Sequence, residues 1–401
     1  MDRFDKSQPE LHVGGMPVSL LAERVGQTPF YAYDRFLVAA RILAVRQVLP
    51  AQVRLHYAVK ANPMPALLGF LSPLVDGMDV ASAGELKLAL DAGAHPEGIG
   101  FAGPGKRETE LRQAVAAGVL LHVESQRELQ ALARLSQSLG RPARVALRIN
   151  PDFELRGSGM RMGGGAQPFG IDVEQVPHLL RNMPAEGVVL EGFHLYAGSQ
   201  NLDASVVAEG LRRALALVLQ LIGEAPAPLR YVNLGGGWGV PYFAHEKALD
   251  AVQVADAVGQ VHHDLQRALP GARLVLELGR YLVGEAGIYV ARVIDRKVSR
   301  GRVFLVTDGG MHHHLAASGN FGQVVRRNYP VAIANRMQAA EREVASVVGP
   351  LCTPLDLLAD RAELAVAQPG DLVVVFQSGA YGWSASPQAF LGHPPCPEVL
   401  V

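Results

Sequence analysis

Leu55-His56-Tyr57-Ala58-Val59-Lys60-Ala61-Asn62 is an apolar run, rich in β-branched and aromatic residues, that ends in one lysine and is closed by Pro63. Bounded in this way, it reads as a buried strand with Lys60 at its end. By itself such a lysine is more often one that snorkels into solvent. Held out of water, its ammonium is disfavoured, and a neutral amine is what imine chemistry with a carbonyl requires. The run is also the first of a series. Strand-like segments recur at 54–60, 77–82, 99–103, 119–124, 144–150, 188–196, 230–235 and 273–279. Between most of them lie segments at helical spacing, such as 84–92, 106–117 and 125–139. Alternating strands and helices imply a parallel sheet covered by helices. Eight units in about 250 residues fit an α/β fold of the (β/α)8 TIM-barrel type, expected over residues 30–280. A doubly wound sheet is the alternative, and it more often opens on a glycine-rich dinucleotide loop.

After Gly284 the pattern changes. Segments 288–298, 303–308, 343–349 and 371–377 read as strands separated by Gly and Pro turns. They predict a second, β-barrel or sandwich domain made of residues 281–401, joined by residues 1–29. The 401 residues carry a net charge of -1, which gives no electrostatic reason to bind nucleic acid or an acidic membrane. The opening residues have no apolar core of a signal peptide, and no apolar stretch is long enough for membrane insertion. Two cysteines, Cys352 and Cys396, argue against a disulfide framework and for a cytoplasmic protein.

Barrels carry function on the C-terminal ends of their strands. Those ends hold Lys60, Asp79, Ser82, Arg148 and Asn150, then His194, Tyr196, Gly198, Ser199 and Gln200. They continue with Gly235-Gly236-Gly237 after the seventh strand and Glu277, Gly279 and Arg280 after the eighth. Successive glycines offer backbone N–H groups to a phosphate, and Arg280 adds a bidentate cation. The other reading is a glycine turn with a packing role. Glu277 ends an apolar strand and needs a partner. Arg280 could be that partner; so could a pyridinium nitrogen.

Two motifs mislead. Gly100-Phe101-Ala102-Gly103-Pro104-Gly105-Lys106 follows most of a nucleotide-phosphate loop, yet Arg107 stands where a Mg²⁺-binding Ser or Thr belongs. His312-His313-His314 invites a metal, but neighbours on a strand point to opposite faces. No metal site is expected.

Taken together these residues resemble the fold-type III pyridoxal-phosphate decarboxylases, the group of diaminopimelate, ornithine and arginine decarboxylases with an alanine-racemase-like fold. The matching pieces are Tyr57–Asn62, Asp79–Glu85, Gly198-Ser199-Gln200, Gly235–Gly237, Glu277–Tyr281, Gly349-Pro350-Leu351-Cys352 and Gly379-Ala380-Tyr381-Gly382. Seven pieces in order over about 320 residues are specific where each alone is not. The resemblance implies that Lys60 holds pyridoxal 5'-phosphate covalently and that Glu277 meets the pyridine nitrogen. It implies that Ser199, Gly235–Gly237, Arg280 and Tyr381 hold the phosphate. Cys352 would act as an acid across a homodimer with shared active sites, so that Lys60, Glu277 and Cys352 form the catalytic set. Asp79, Arg148, His194 and Gly279 complete the expected cofactor site.

The departures bear on the substrate. The family usually follows the catalytic cysteine with an acid that meets the substrate's distal amine; here it is Thr353, in Cys352-Thr353-Pro354-Leu355-Asp356. Lysine, ornithine and diaminopimelate become less expected. The family's His-x-His becomes His194-Leu195-Tyr196, so Tyr196 would stack on the cofactor. The Arg-Pro that meets diaminopimelate's distal carboxylate is replaced by His312–Ser318. Residues 312–330, with Arg326 and Arg327, resemble a subgroup found with exosortase-A gene clusters and decarboxylases of carrier-tethered glutamyl groups. The expectation is a decarboxylase of an L-amino acid or aminoacyl group, small or acyl-carrier-tethered, with His312, Arg326, Thr353 and Asp356 as candidate substrate residues. Diaminopimelate decarboxylase proper, a racemase on the same cofactor, and a non-catalytic cofactor carrier are the alternatives. The glycines of 157–168 would allow that loop to close over substrate.

Overall fold

The computed structural model describes the chain apart from residues 1–2, 5–6, 155–159, 162, 185, 244, 322 and 324. Of the glycine-rich 157–168 loop, residues 157–159 and 162 therefore lie outside the described residues. The chain divides into two compact units, one of residues 42–240 and 247–281, the other of 1–41, 241–246 and 282–401.

The first unit is a closed parallel barrel. Its strands are β1 (Arg54–Ala58), β2 (Gly77–Val80), β3 (Ile99–Phe101), β4 (Leu120–Val123), β5 (Ala143–Asn150), β6 (Val188–Leu195), β7 (Tyr231–Gly236) and β8 (Arg273–Leu278). Each pairs with the next, and β8 pairs with β1, which closes the ring. Sequence and structure agree on all eight strands. The first ends sooner than its apolar run suggested: Val59–Ala61 is a 3₁₀ turn, so Lys60 stands just past the strand. The helices form for local reasons. Before Gln126–Leu139, Ser125 Oγ accepts from Glu128 N at 3.2 Å, and Gly140 ends the helix at φ +61°. Its Leu129, Leu132 and Leu135 repeat at helical spacing and are buried. Ser82, a strand-end candidate, caps Ala83–Asp91 by accepting from Glu85 N at 3.1 Å.

The second unit is built on a mixed sheet. Its long strand Gly287–Ser299 pairs with Arg302–Thr307, with Leu372–Val375 and with Phe30–Tyr33. Arg342–Val348 and Leu357–Ala365 extend one side, and Val331–Ile333 the other. Phe30, Ala32, Ile288, Val290, Val374 and Phe376 form its core with Leu11, Val18 and Leu21. The boundaries differ from 30 and 280. Phe30–Tyr33 pairs with Gly287–Ser299 and with Glu398–Leu400, so the contact boundary falls at Arg41. An apolar four-residue strand carries no mark of which sheet it joins.

A side chain at Gly192 of β6 has no room: a Cβ there would lie 1.6 Å from Tyr231 O. Gly192→Ala is expected to lower stability by about 3 kcal/mol or to prevent folding. An unchanged denaturation midpoint would contradict this barrel register.

Candidate active site

The barrel unit gathers its polar strand-end residues around Glu277. Glu277 Oε1 lies 3.5 Å from Lys60 Nζ, and Oε2 lies 3.4 Å from His194 Nε2. Burial alone would push this carboxyl up. The charge of Lys60, then the hydrogen bond from His194 and the charge of Arg148, hold it down at about 2 instead. Glu277 is therefore an anion inside the barrel. Lys60 and His194 are its observed neighbours.

Lys60 is not the desolvated amine that the strand end suggested. Its side chain keeps 39% of its exposure, and its Nζ sits 5.0 Å from the centre of the Tyr196 ring. Asp79 ends β2 with Oδ2 3.1 Å from His56 Nδ1, and burial raises its carboxyl against the pull of His56. Glu85, half-buried, accepts from Ala81 N at 2.7 Å; burial raises it too, while Lys60 pulls it down. Arg148 pairs with Glu124 at 2.8 Å, and Glu124 also accepts from Gly103 N and Gly170 N. This acid thus anchors an arginine and two loops.

The glycine loop is fixed by close approach. A Cβ on Gly236 would lie 2.2 Å from Glu277 O, and one on Gly237 would lie 2.2 Å from Gly198 O. Gly235 and Gly237 also adopt φ +71° and +73°, which favour glycine. The N–H of Gly235 donates to Asn233 Oδ1 at 2.8 Å, so that amide is already engaged. Gly279 is equally tight: a Cβ would meet Ala61 Cβ at 2.9 Å. Backbone is thereby brought close to the lysine turn. Ser199 pairs through its backbone with Met160, and Arg280 opens the short helix Arg280–Val283.

The misleading phosphate motif is explained. Lys106 Nζ is buried and bonds Gly103 O at 2.6 Å, His122 O at 2.9 Å and Glu128 Oε1 at 2.7 Å. It ties two loops together and offers nothing to a nucleotide. Sequence reasoning missed His56, Glu124, His122, Tyr231 and Asn233. The available signal was a polar residue inside each apolar strand run.

The second unit holds the remaining candidates. Cys352 is exposed. Thr353 Oγ1 accepts from Leu355 N at 3.3 Å. Asp356 Oδ1 accepts from Met311 N at 2.6 Å and Oδ2 from Leu351 N at 2.7 Å, so both oxygens stitch loops together. Tyr381 has φ +54°. Arg326 Nη2 donates to Leu357 O. Arg327 lies 3.7 Å over the Phe243 ring and 3.6 Å from Glu246. The three histidines engage separate neighbours. His313 meets Pro394 O at 2.9 Å and His314 meets Ser378 Oγ at 2.9 Å. The His312 ring packs on those of His313 and His393, and burial, then His313, lowers it to about 3. Among the described residues no three acids, histidines or cysteines cluster to hold a metal ion.

A parallel barrel with a lysine, an acid its neighbours keep ionised near neutrality and a side-chain-free turn at its strand ends fits an enzyme built around a carbonyl cofactor. The comparisons agree. Residues 36–284 match the pyridoxal binding domain of the pyridoxal-dependent decarboxylases. The chain is 39% identical over 382 residues to an L-glutamyl-(BtrI acyl-carrier protein) decarboxylase of Niallia circulans, covering 93% of this chain and 89% of that one. It is 32% identical over 395 residues to the diaminopimelate decarboxylase of Aquifex aeolicus, covering 98% and 90%. The crystal structure of diaminopimelate decarboxylase from M. jannaschii with L-lysine superposes with TM-score 0.90 at 26% identity, covering 99% and 92%. The chain belongs to the pyridoxal-dependent decarboxylases of fold type III and uses pyridoxal 5'-phosphate. No helix among the described residues is long and apolar enough to cross a membrane.

The acidity of Glu277 gives a test in cofactor-free protein. With a folded value of about 2 against an ordinary 4.5, its stabilisation is full above about pH 4.5 and is lost as pH falls through 2. Lys60→Ala removes the largest pull downward, so the carboxyl titration followed by ¹³C NMR moves up. A titration that stays near 2 would show that Lys60 does not hold it.

Proposed function

We propose that this decarboxylase removes the α-carboxyl of an aminoacyl group without a distal ammonium, a carrier-tethered glutamyl group being the favoured substrate. The observation that carries this reading lies beside Cys352. Thr353 supplies no negative charge, and the nearby Asp356 spends both oxygens on Met311 and Leu351 backbone. A distal ammonium would therefore meet no acid from this segment. The relative in Niallia circulans, named for a glutamyl group on a carrier protein, supports the same choice. Diaminopimelate decarboxylases at 32% identity keep that substrate as the second reading.

Pyridoxal phosphate, when bound, accepts the electron pair left on Cα as CO2 departs. The residues of the chain do the rest. Lys60 Nζ would hold the cofactor at its carbonyl carbon, and an amine at this place would also be able to carry a proton. Anionic Glu277 would meet the ring nitrogen and keep it protonated, which favours charge moving toward the ring. Tyr196 offers its ring face for stacking. Gly236 and Gly237, with Ser199 and Arg280, would hold the phosphate, a role the family's pattern implies for Tyr381 as well; Gly235 shapes the turn, since Asn233 occupies its N–H. Asp79 with His56, and Arg148 with Glu124, fix the strand ends around them. Cys352 delivers a proton to Cα from the partner protomer of a homodimer, for which its exposure within one chain is suited. Two cysteines outside any disulfide fit a cytoplasmic enzyme.

Carbon dioxide release should be fast with a glutamyl-carrier thioester and at least about tenfold slower with free lysine or diaminopimelate. Rapid turnover of either diamine would sink the Thr353 argument. Cys352→Ala should keep the visible absorbance of bound cofactor and lose most decarboxylation, whereas Lys60→Ala should lose that absorbance. Full activity in Cys352→Ala would remove the thiol from the mechanism.

A further inference from the structure

His314 has no part in the roles above, yet both of its ring nitrogens are engaged inside the second unit. His314 and Ser378 are each 0% exposed. Their protons follow from their partners. The Ala317 N–H can only donate, so His314 Nδ1, which faces it at 3.2 Å, carries the lone pair. Burial lowers the ring to about 3, so it is neutral and its one proton sits on Nε2. That N–H donates to Ser378 Oγ at 2.9 Å. The Ser378 hydroxyl in turn donates to Val375 O at 2.9 Å. From Ala317 to Val375 each proton has one acceptor. The ring also packs on those of Tyr31, Tyr289 and Tyr329. A phenylalanine would pack there as well, so packing does not account for the two nitrogens.

Ser378 opens the turn that carries Tyr381. Gln377 and Tyr381, on either side of Ser378-Gly379-Ala380, have φ of +57° and +54°. Residues other than glycine hold such angles only where their surroundings impose them. Here Ser378 N donates to Gly287 O at 2.8 Å and Gly379 N to Gly284 O at 3.0 Å. The histidine segment adds a tie on each side of Tyr381. His314 holds Ser378 before it. After it, Leu315 N donates to Ser386 Oγ at 2.9 Å, and that hydroxyl donates to Gly382 O at 2.6 Å. We infer that His314 is a positioning residue that fixes, through Ser378, the strained turn carrying Tyr381. The inference rests on the reading of Tyr381 as a phosphate ligand. It gives one member of the histidine triplet a role that needs neither a metal nor contact with substrate: His314 acts on phosphate binding by shaping the turn.

Two variants test it: His314→Phe, which keeps a ring and loses both nitrogens, and Ser378→Ala, which removes one hydroxyl. In cofactor-free protein, amide hydrogen exchange at residues 379–382 should be about tenfold faster in each, with exchange in Leu372–Val375 unchanged. Reconstitution should show pyridoxal 5'-phosphate binding about tenfold weaker, while pyridoxal, which lacks the phosphate, binds as to the parent. His314→Gln sets an amide N–H near the place of Nε2 and should restore most of the affinity. If either folded variant keeps the parent's exchange at 379–382, or weakens pyridoxal as much as its phosphate, the inference is overturned and His314 only fills the core. Ser378→Ala alone decides if His314→Phe does not fold. Faster exchange with undiminished affinity for pyridoxal 5'-phosphate would uphold the hold on the turn and overturn the phosphate role of Tyr381.

Discussion

A carboxylate inside a barrel is costly, and most of the polar interior of this protein serves to keep Glu277 charged. Solvent would do so freely, but a buried acid without partners takes up a proton. Lys60 and His194 approach it at 3.5 and 3.4 Å, and Arg148 contributes charge from further away. Each supporter is held in turn: Arg148 by Glu124, and His194 by its packing on His122. Asp79, which faces the same interior, is pushed the other way, because its burial and the charge of Glu277 outweigh His56. Two acids in one barrel thus end with opposite tendencies, set by which neighbours each one has.

The glycines complete that constraint from the backbone side. Gly236 and Gly279 each sit where a side chain would strike a neighbouring strand or turn, at Glu277 O and Ala61 Cβ. The main chain on both sides of Glu277 can therefore close in. A larger residue at either place would move the acid away from Lys60. The substrate end follows other rules: around Cys352, backbone amides consume the charge of Asp356, leaving Thr353 as the neutral group beside the thiol.

Much of this was legible in the sequence because it depends on periodicity and on residues at strand ends. Eight apolar runs gave eight strands, and the lysine, acid and triple glycine fell at their C-terminal ends. The rest depends on distance between segments far apart in the chain. Lys106 sits in a motif that Arg107 already discounted as a phosphate loop, but its real partners, Glu128 and two carbonyls, could not be read locally. His122 and Tyr231 meet across 109 positions, and nothing local marks them as neighbours. Asp356 read as a substrate residue because it follows a catalytic motif, whereas its partners Met311 and Leu351 reveal a stitch between loops. Phe30–Tyr33 was placed at the barrel boundary because a short apolar strand does not say which sheet it will enter.

That strand has a consequence for how the protein is made. Residues 42–281 contain every strand of the barrel ring, so the ring can close once they leave the ribosome. Phe30–Tyr33 is synthesised before any of them but pairs with Glu398–Leu400, and Val401 N donates to Tyr33 O at 2.9 Å. The amino-terminal segment must wait for Gly287–Ser299 as its first neighbour and almost to the end of translation for its second. During that interval apolar Phe30, Tyr31 and Ala32, fully buried in the finished fold, lack the strands that cover them.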